Sequence, residues 1–149
     1  MDSYLLLSFY DSTRLVKIDD KGGNLRLVPL EQNALQGLKI HEPTIAFSNT
    51  SQRVKGQDGK TRYVNSSLAV QVTASCLSLL ELNEDLQSYV ECDIWKVKEN
   101  TPGDRSAEIV AASINPSQIA LAVSGGKKIL LSVAENKKLR VNMSVFLFS

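Results

Sequence analysis

The chain has 149 residues, the length of one domain, and a 43% hydrophobic content that excludes wholesale disorder. Seventeen Lys and Arg stand against sixteen Asp and Glu, so a net charge of +1 supplies no argument for a nucleic-acid or anionic-membrane partner. Two cysteines, Cys76 and Cys92, and one histidine fall short of the roughly four ligands of a structural zinc site.

In chain order, the opening "MDSYLLLSFYDSTR" has no basic stretch. Its apolar run is far shorter than the roughly 20 residues that span a bilayer. Without a secretory signal, the sequons at Asn49, Asn65 and Asn142 read as incidental. "YLLLSFY" (4–10) and "TRLVKI" (13–18) are strand candidates joined by Asp11-Ser12, polar residues suited to a tight turn. "DDKGG" (19–23) breaks the chain before "LRLV" (25–28). "PLEQNALQGLK" (29–39) alone has helical propensity, and Gly37 weakens it, so little or no helix is expected. "TIAFS" (44–48) is the next strand, and "RVKGQDGKTR" (53–62) reads as an exposed loop.

"SLAVQVT" (67–73) and "CLSLLEL" (76–82) flank an Ala-Ser turn, and "DIWKV" (93–97) precedes the polar break "KENTPGDRSAE" (98–108). "IVAASI" (109–114), "QIALAVS" (118–124) and "KILLSV" (128–133) are separated by Asn115-Pro116-Ser117 and by Gly125-Gly126. "KLRVNM" (138–143) opens one more strand. Short strands with regular turn signals mean an all-β sandwich, barrel or propeller. "QIALAVS" and "SLAVQVT" are apolar at nearly every position, as in strands covered on both faces. Inner strands of propeller blades meet that description.

Features that bear on chemistry have plainer readings. "SGGKK" (124–128) lacks the first Gly and the Ser or Thr of a phosphate loop, having Leu121 and Lys128 there, and reads as a hairpin turn. His41 and Glu42 are sequence neighbours, which point to opposite faces of a strand, and no nucleophile stands nearby. Cys76 lies in an apolar strand, and Cys92 sits between Glu91 and Asp93 without the positive surroundings that activate a thiol. Arg53, Lys55, Lys60 and Arg62 are the one basic cluster, with Tyr63 the adjacent aromatic; a solvated loop is the expectation. Trp95 is a packed strand position or, alternatively, a partner's anchor. No catalytic, cofactor-binding or metal-binding residue is assigned, no cofactor is expected, and the chain is read as a non-enzyme.

Three stretches in order carry a resemblance: "YLLLSFYDSTRLVKI", "SSLAVQVTASCLSLLEL" and "IVAASINPSQIALAVSGGKKILLSV". They resemble the second β-propeller of the family formed by the large subunit of UV-damaged DNA-binding protein, the large subunit of the cleavage and polyadenylation specificity factor, and a propeller subunit of splicing factor 3b. The family pattern has a strand pair ending in "TRVL" (here Leu5 to Val16) and an "L-x-Q-x-T" strand with its apolar partner (Leu68 to Leu82). A tryptophan-bearing segment follows around Trp95, and then "N-x-S-Q" (Asn115, Ser117, Gln118) before a "VAVG"-type hairpin (Ala122 to Gly125). "QVTAS" (71–75) with "NPSQ" is closest to the damaged-DNA-binding branch. The stretches 53–62 and 98–108 look like insertions.

A blade takes about 40–45 residues, so the chain holds about three blades of four-stranded antiparallel sheet, and closed propellers have roughly 4–8. The expected fold is therefore all-β, a partial WD-type propeller: an open arc over 1–139, then a truncated or atypical tail over 140–149. The resemblance implies a non-enzymatic interaction scaffold, a fragment of an adaptor that holds a cullin ubiquitin ligase scaffold or its substrate receptors in DNA repair and chromatin control. The implied setting is the nucleus, with the cytosol second. Nucleic acid would be met only indirectly through the complex, and no membrane is implied. The alternatives are a subunit of an mRNA 3′-end cleavage and polyadenylation or splicing complex, a short product without activity of its own, and a small β-rich enzyme or ligand-binding barrel. The missing cluster of His, Asp and nucleophile weighs against the last.

Overall fold

The computed structural model describes residues 3–30, 37–83, 85 and 88–146. Their strands form three antiparallel meanders. The first holds β1 (Ser3–Ser8), β2 (Thr13–Lys21) and β3 (Asn24–Pro29); the second holds β4 (Thr44–Lys55), β5 (Thr61–Thr73), β6 (Cys76–Asn83) and β7 (Ser88–Lys96). The third holds β8 (Ile109–Ile114), β9 (Ile119–Val123), β10 (Lys127–Val133) and β11 (Leu139–Phe146). Within every sheet, hydrogen-bonded strands are neighbours in sequence, the blade topology of the expected partial propeller. β4 stands beside both β1 and β8, and β7 meets β11, so the first strands of successive sheets lie side by side.

Local chemistry sets these boundaries. Gly22 and Gly23 both have positive φ (69° and 83°) and close β2 onto β3 with Lys21 opposite Asn24. That is the two-residue turn whose twist matches its strands, and glycine adopts it without a Cβ penalty. Asn115 closes the β8–β9 turn through its side chain: Oδ1 accepts from the backbone N–H of Ser117 (3.0 Å) and Gln118 (2.7 Å).

The blades pack face to face. Leu68, Val70 and Val72 of β5 and Leu77 and Leu79 of β6 meet Ile119, Leu121 and Val123 of β9 and Ile129, Leu131 and Val133 of β10 in one buried apolar cluster. The opposite face of the second sheet presents Ala69, Leu80 and Tyr89 to Leu15 and Leu38. Phe47 and Tyr89 stack edge to face there, 5.9 Å between ring centroids. β5 and β6 are thus covered on both sides, and "SLAVQVT" is the unbroken apolar run expected of them. β9 differs. Ile119, Leu121 and Val123 are buried, but Ala120 and Ala122 on the far face of the third sheet are only half-covered.

Several boundaries move. The first sheet has three strands among the described residues, not four. β1 ends at Ser8, and the turn takes in Phe9 to Ser12 with an N–H···O bond of 2.7 Å. β7 begins at Ser88, earlier than the expected 93, and is bulged at Cys92 between the pairs Leu79–Asp93 and Leu80–Glu91. β11 runs on to Phe146 through residues that the sequence assigned to a tail, while 147–149 lie outside the described residues. Of the weakly helical stretch 29–39, residues 31–36 also lie outside them.

Candidate interaction site

Two features stand out from the repeating blade: a polar fastener between the first two sheets and a projecting hairpin between the last two. The fastener centres on Gln71, fully buried on β5. Its Oε1 accepts from the Lys39 backbone N–H (2.8 Å), and its Nε2 donates to the Lys39 carbonyl (3.0 Å) and to Thr44 Oγ1 (2.9 Å). Thr13 Oγ1 lies 2.6 Å from Thr44 Oγ1 and donates to the Glu42 carbonyl (2.9 Å). Ser75 Oγ donates to Glu42 Oε2 (2.7 Å). A glutamine in the middle of an apolar strand satisfies its amide by gripping the connection into β4, and in doing so joins one blade to the next. Lys39 adds an exposed ion pair to Glu91 (2.9 Å); the hydrogen bond to that carboxylate raises the lysine pKa. Gly37 lies so close to the Tyr89 backbone that a Cβ there would overlap its carbonyl.

The hairpin replaces the expected loop at 53–62. β4 and β5 stay paired out to Lys55–Thr61, well past the end of the β5–β6 pairing at Leu68. The arm begins at a register irregularity between Asn49 and Ser51, where Thr50 and Ser51 are buried. Its turn is 56–60, closed by Gly56 N–H to the Lys60 carbonyl (2.8 Å). The arm reaches over to the β10–β11 turn, where the Lys55 N–H donates to Glu135 Oε1 (2.8 Å). That turn is itself tied to the second sheet. Lys137 Nζ bonds both oxygens of Glu81 (2.7 and 2.8 Å), and the Leu139 N–H donates to Asp93 Oδ2 (2.8 Å). Between arm and turn lies a half-open cleft of about 290 Å³, lined among others by Arg53, Lys55, Arg140 and Glu135.

The residues singled out in the sequence fall as follows. His41 is exposed, and Glu42 beside it is engaged by Ser75, so they form no acid–base pair. Cys76 is buried in β6, and burial followed by the nearby Glu81 pushes the Cys92 thiol up, away from reactivity. Trp95 is packed in the core between the second and third sheets, with its Nε1–H unpartnered among the described residues. Residues 124–126 form a turn with Gly125 and Gly126 at positive φ (84° and 86°). Arg62 pairs with Asp58 (3.0 Å), whereas Arg53 and Lys55 face the cleft. Sequence reasoning missed Arg140, which only the fold brings to Arg53, and it read Gln71 as part of a pattern without a role. Among the described residues no His, Cys, Asp and Glu cluster suits a metal, and no helix is long and apolar enough to cross a membrane.

Comparison with curated proteins returns no match. The family model described as the RSE1/DDB1/CPSF1 second beta-propeller matches residues 1–146, spanning all three sheets. The residues that carried the resemblance have structural roles here: Thr13 and Gln71 fasten blades, and Asn115 closes a turn. Propellers of this kind support a scaffold or adaptor role built on protein–protein contact. With its three successive meanders and a match along nearly its whole length, the chain belongs to the RSE1/DDB1/CPSF1 second β-propeller family.

Proposed function

We propose that the chain acts as a non-enzymatic docking segment of a nuclear propeller adaptor that holds a cullin ubiquitin ligase scaffold in DNA repair. The family match over residues 1–146 carries this reading. The likeness of "QVTAS" and "NPSQ" to the damaged-DNA-binding branch is what supports the cullin reading. A frame of this kind works by stiffness. The Gln71 fastener and the buried apolar core between the second and third sheets fix blade against blade, so a partner meets surfaces already in position and loses little ordering entropy. The second reading is a subunit of an mRNA 3′-end processing or splicing complex, which the family description favours equally because it names all three branches.

The test is direct binding of the purified chain to a purified cullin scaffold, in parallel with purified polyadenylation and splicing partners. Saturable binding to the cullin alone supports the proposal. Binding to either RNA-processing partner with none to the cullin overturns it in favour of the second reading.

A further inference from the structure

The cleft between the β4–β5 arm and the β10–β11 turn differs from the rest of the surface in how its charge is distributed. Around it, three cations are matched: Lys137 with Glu81 (2.7 Å), Lys138 with Asp93 (3.9 Å) and Arg62 with Asp58 (3.0 Å). Inside it, Arg53, Lys55 and Arg140 make no ion pair among the described residues. The one carboxylate on its wall, Glu135, is held by the Lys55 backbone N–H (2.8 Å). Three positive side chains therefore share one small space with one negative one, in a chain that is almost neutral as a whole. Like charges gathered this closely repel one another, and an anionic ligand relieves that repulsion.

The walls are also fixed in advance. Glu81 and Asp93 tie the turn to the second sheet, and Glu135 ties the arm to the turn. Thr61 and Ser132 bring hydroxyls to the same cleft, and Val133 and Ala134 give it an apolar floor. Tyr63, half-exposed, is the cross-strand partner of Arg53 and lies on the same side of the arm.

We infer that this cleft binds an acidic peptide segment of a partner protein, with Arg53, Lys55 and Arg140 taking its carboxylates or phosphates and the half-exposed Tyr63 receiving an apolar side chain beside them. The inference rests on the scaffold reading and names the partner's chemistry and its site. The shape of the positive patch selects peptide over nucleic acid. A nucleic-acid strand needs a continuous cationic track with successive stacking platforms. Here Arg62, Lys137 and Lys138 are paired with Asp58, Glu81 and Asp93, which interrupts the positive surface beside the cleft and leaves Lys60 at the tip of the arm as a separate exposed cation.

Fluorescence anisotropy on the full chain tests this with four labelled probes: a short Glu- and Leu-containing peptide, its phosphoserine counterpart, its Gln-for-Glu counterpart and a short single-stranded RNA. The expected result is saturable, salt-sensitive binding of either acidic probe and none of the neutral one; the two acidic probes separate carboxylate from phosphate recognition. Arg53→Glu with Arg140→Glu weakens that binding at least tenfold, while Lys98→Glu, an exposed control in the β7–β8 connection, leaves it unchanged. Both cleft positions are exposed, and the Trp95 emission of each variant checks that it is folded. Equal binding of the neutral peptide, indifference to the double reversal, no acidic-peptide binding, or binding of RNA alone overturns the inference. The titration contains no cullin. A null result here with cullin binding intact sinks the cleft and leaves the scaffold reading standing; the converse sinks the scaffold reading alone.

Discussion

Replacing Gln71 separates what the polar fastener contributes from what shape contributes. Gln71→Leu keeps most of the side-chain volume but removes three hydrogen bonds, to the Lys39 N–H, the Lys39 carbonyl and Thr44 Oγ1. Each such bond has a net worth of about 1 kcal/mol, and a donor left buried without a partner costs about 1–3 kcal/mol. Lys39 is only half-buried, so water restores part of the loss at its backbone. The expected destabilisation is therefore about 2–3 kcal/mol for Gln71→Leu. Gln71→Ala, which also opens a cavity, loses about 1 kcal/mol more. Against a typical domain stability of about 5–15 kcal/mol that is a large fraction. Urea titration followed by circular dichroism and by Trp95 emission measures it; Trp95 is the chain's one tryptophan and reports the interface between the second and third sheets. A Gln71→Leu variant within about 0.5 kcal/mol of wild type refutes the reasoning, since the blades would then be joined by packing alone.

Other perturbations have defined outcomes. Gly37→Ala drives a methyl into the Tyr89 carbonyl and is expected to cost about 1–3 kcal/mol in the same titration, as overpacking does. Trp95→Phe removes an unpartnered Nε1–H along with some packing, so its loss, followed by circular dichroism, stays below about 1.5 kcal/mol, well short of the roughly 3–5 kcal/mol of a full truncation. The Lys39–Glu91 pair gives a pH signature. The folded lysine pKa is raised, first by the hydrogen bond to Glu91, so its stabilisation is fully present below the unfolded value of 10.5 and is lost as pH rises through the folded value. The difference in urea midpoint between wild type and Lys39→Met is therefore constant from neutral pH to about 10 and shrinks as pH rises past 10.5 and through the folded lysine's raised value. With both side chains about one-third exposed, the effect is small throughout.

Legibility in the sequence followed burial. "SLAVQVT" and "CLSLLEL" are covered on both faces, so their apolar runs are unbroken and they read correctly as central strands. The glycine pairs at 22–23 and 125–126 marked turns because both residues of each take positive φ. The start of β7 did not read as a strand. The bulge at Cys92 breaks its alternation, and an outer strand leaves residues such as Val90 in solvent. The arm read as a loop for a related reason: away from its sheet it has no buried face to impose a period of two on Arg53 to Lys55 or on Thr61 to Val64. The cleft was invisible altogether. Arg53 and Arg140 come together only through the packing of two sheets, and no local pattern encodes that.

The strict meander has a consequence for how the chain acquires its structure. Because every ladder joins strands adjacent in sequence, each hairpin closes over a short stretch, and each sheet can form soon after its residues leave the ribosome. What must wait is the seam between sheets. Leu68, Val70 and Val72 stay wet until Ile119 to Val133 have been synthesised, so the second sheet passes through an interval with one apolar face open. Assembly is then a zipper running from the amino-terminal end, and its vulnerable moment is the delay before the next blade arrives to close the last.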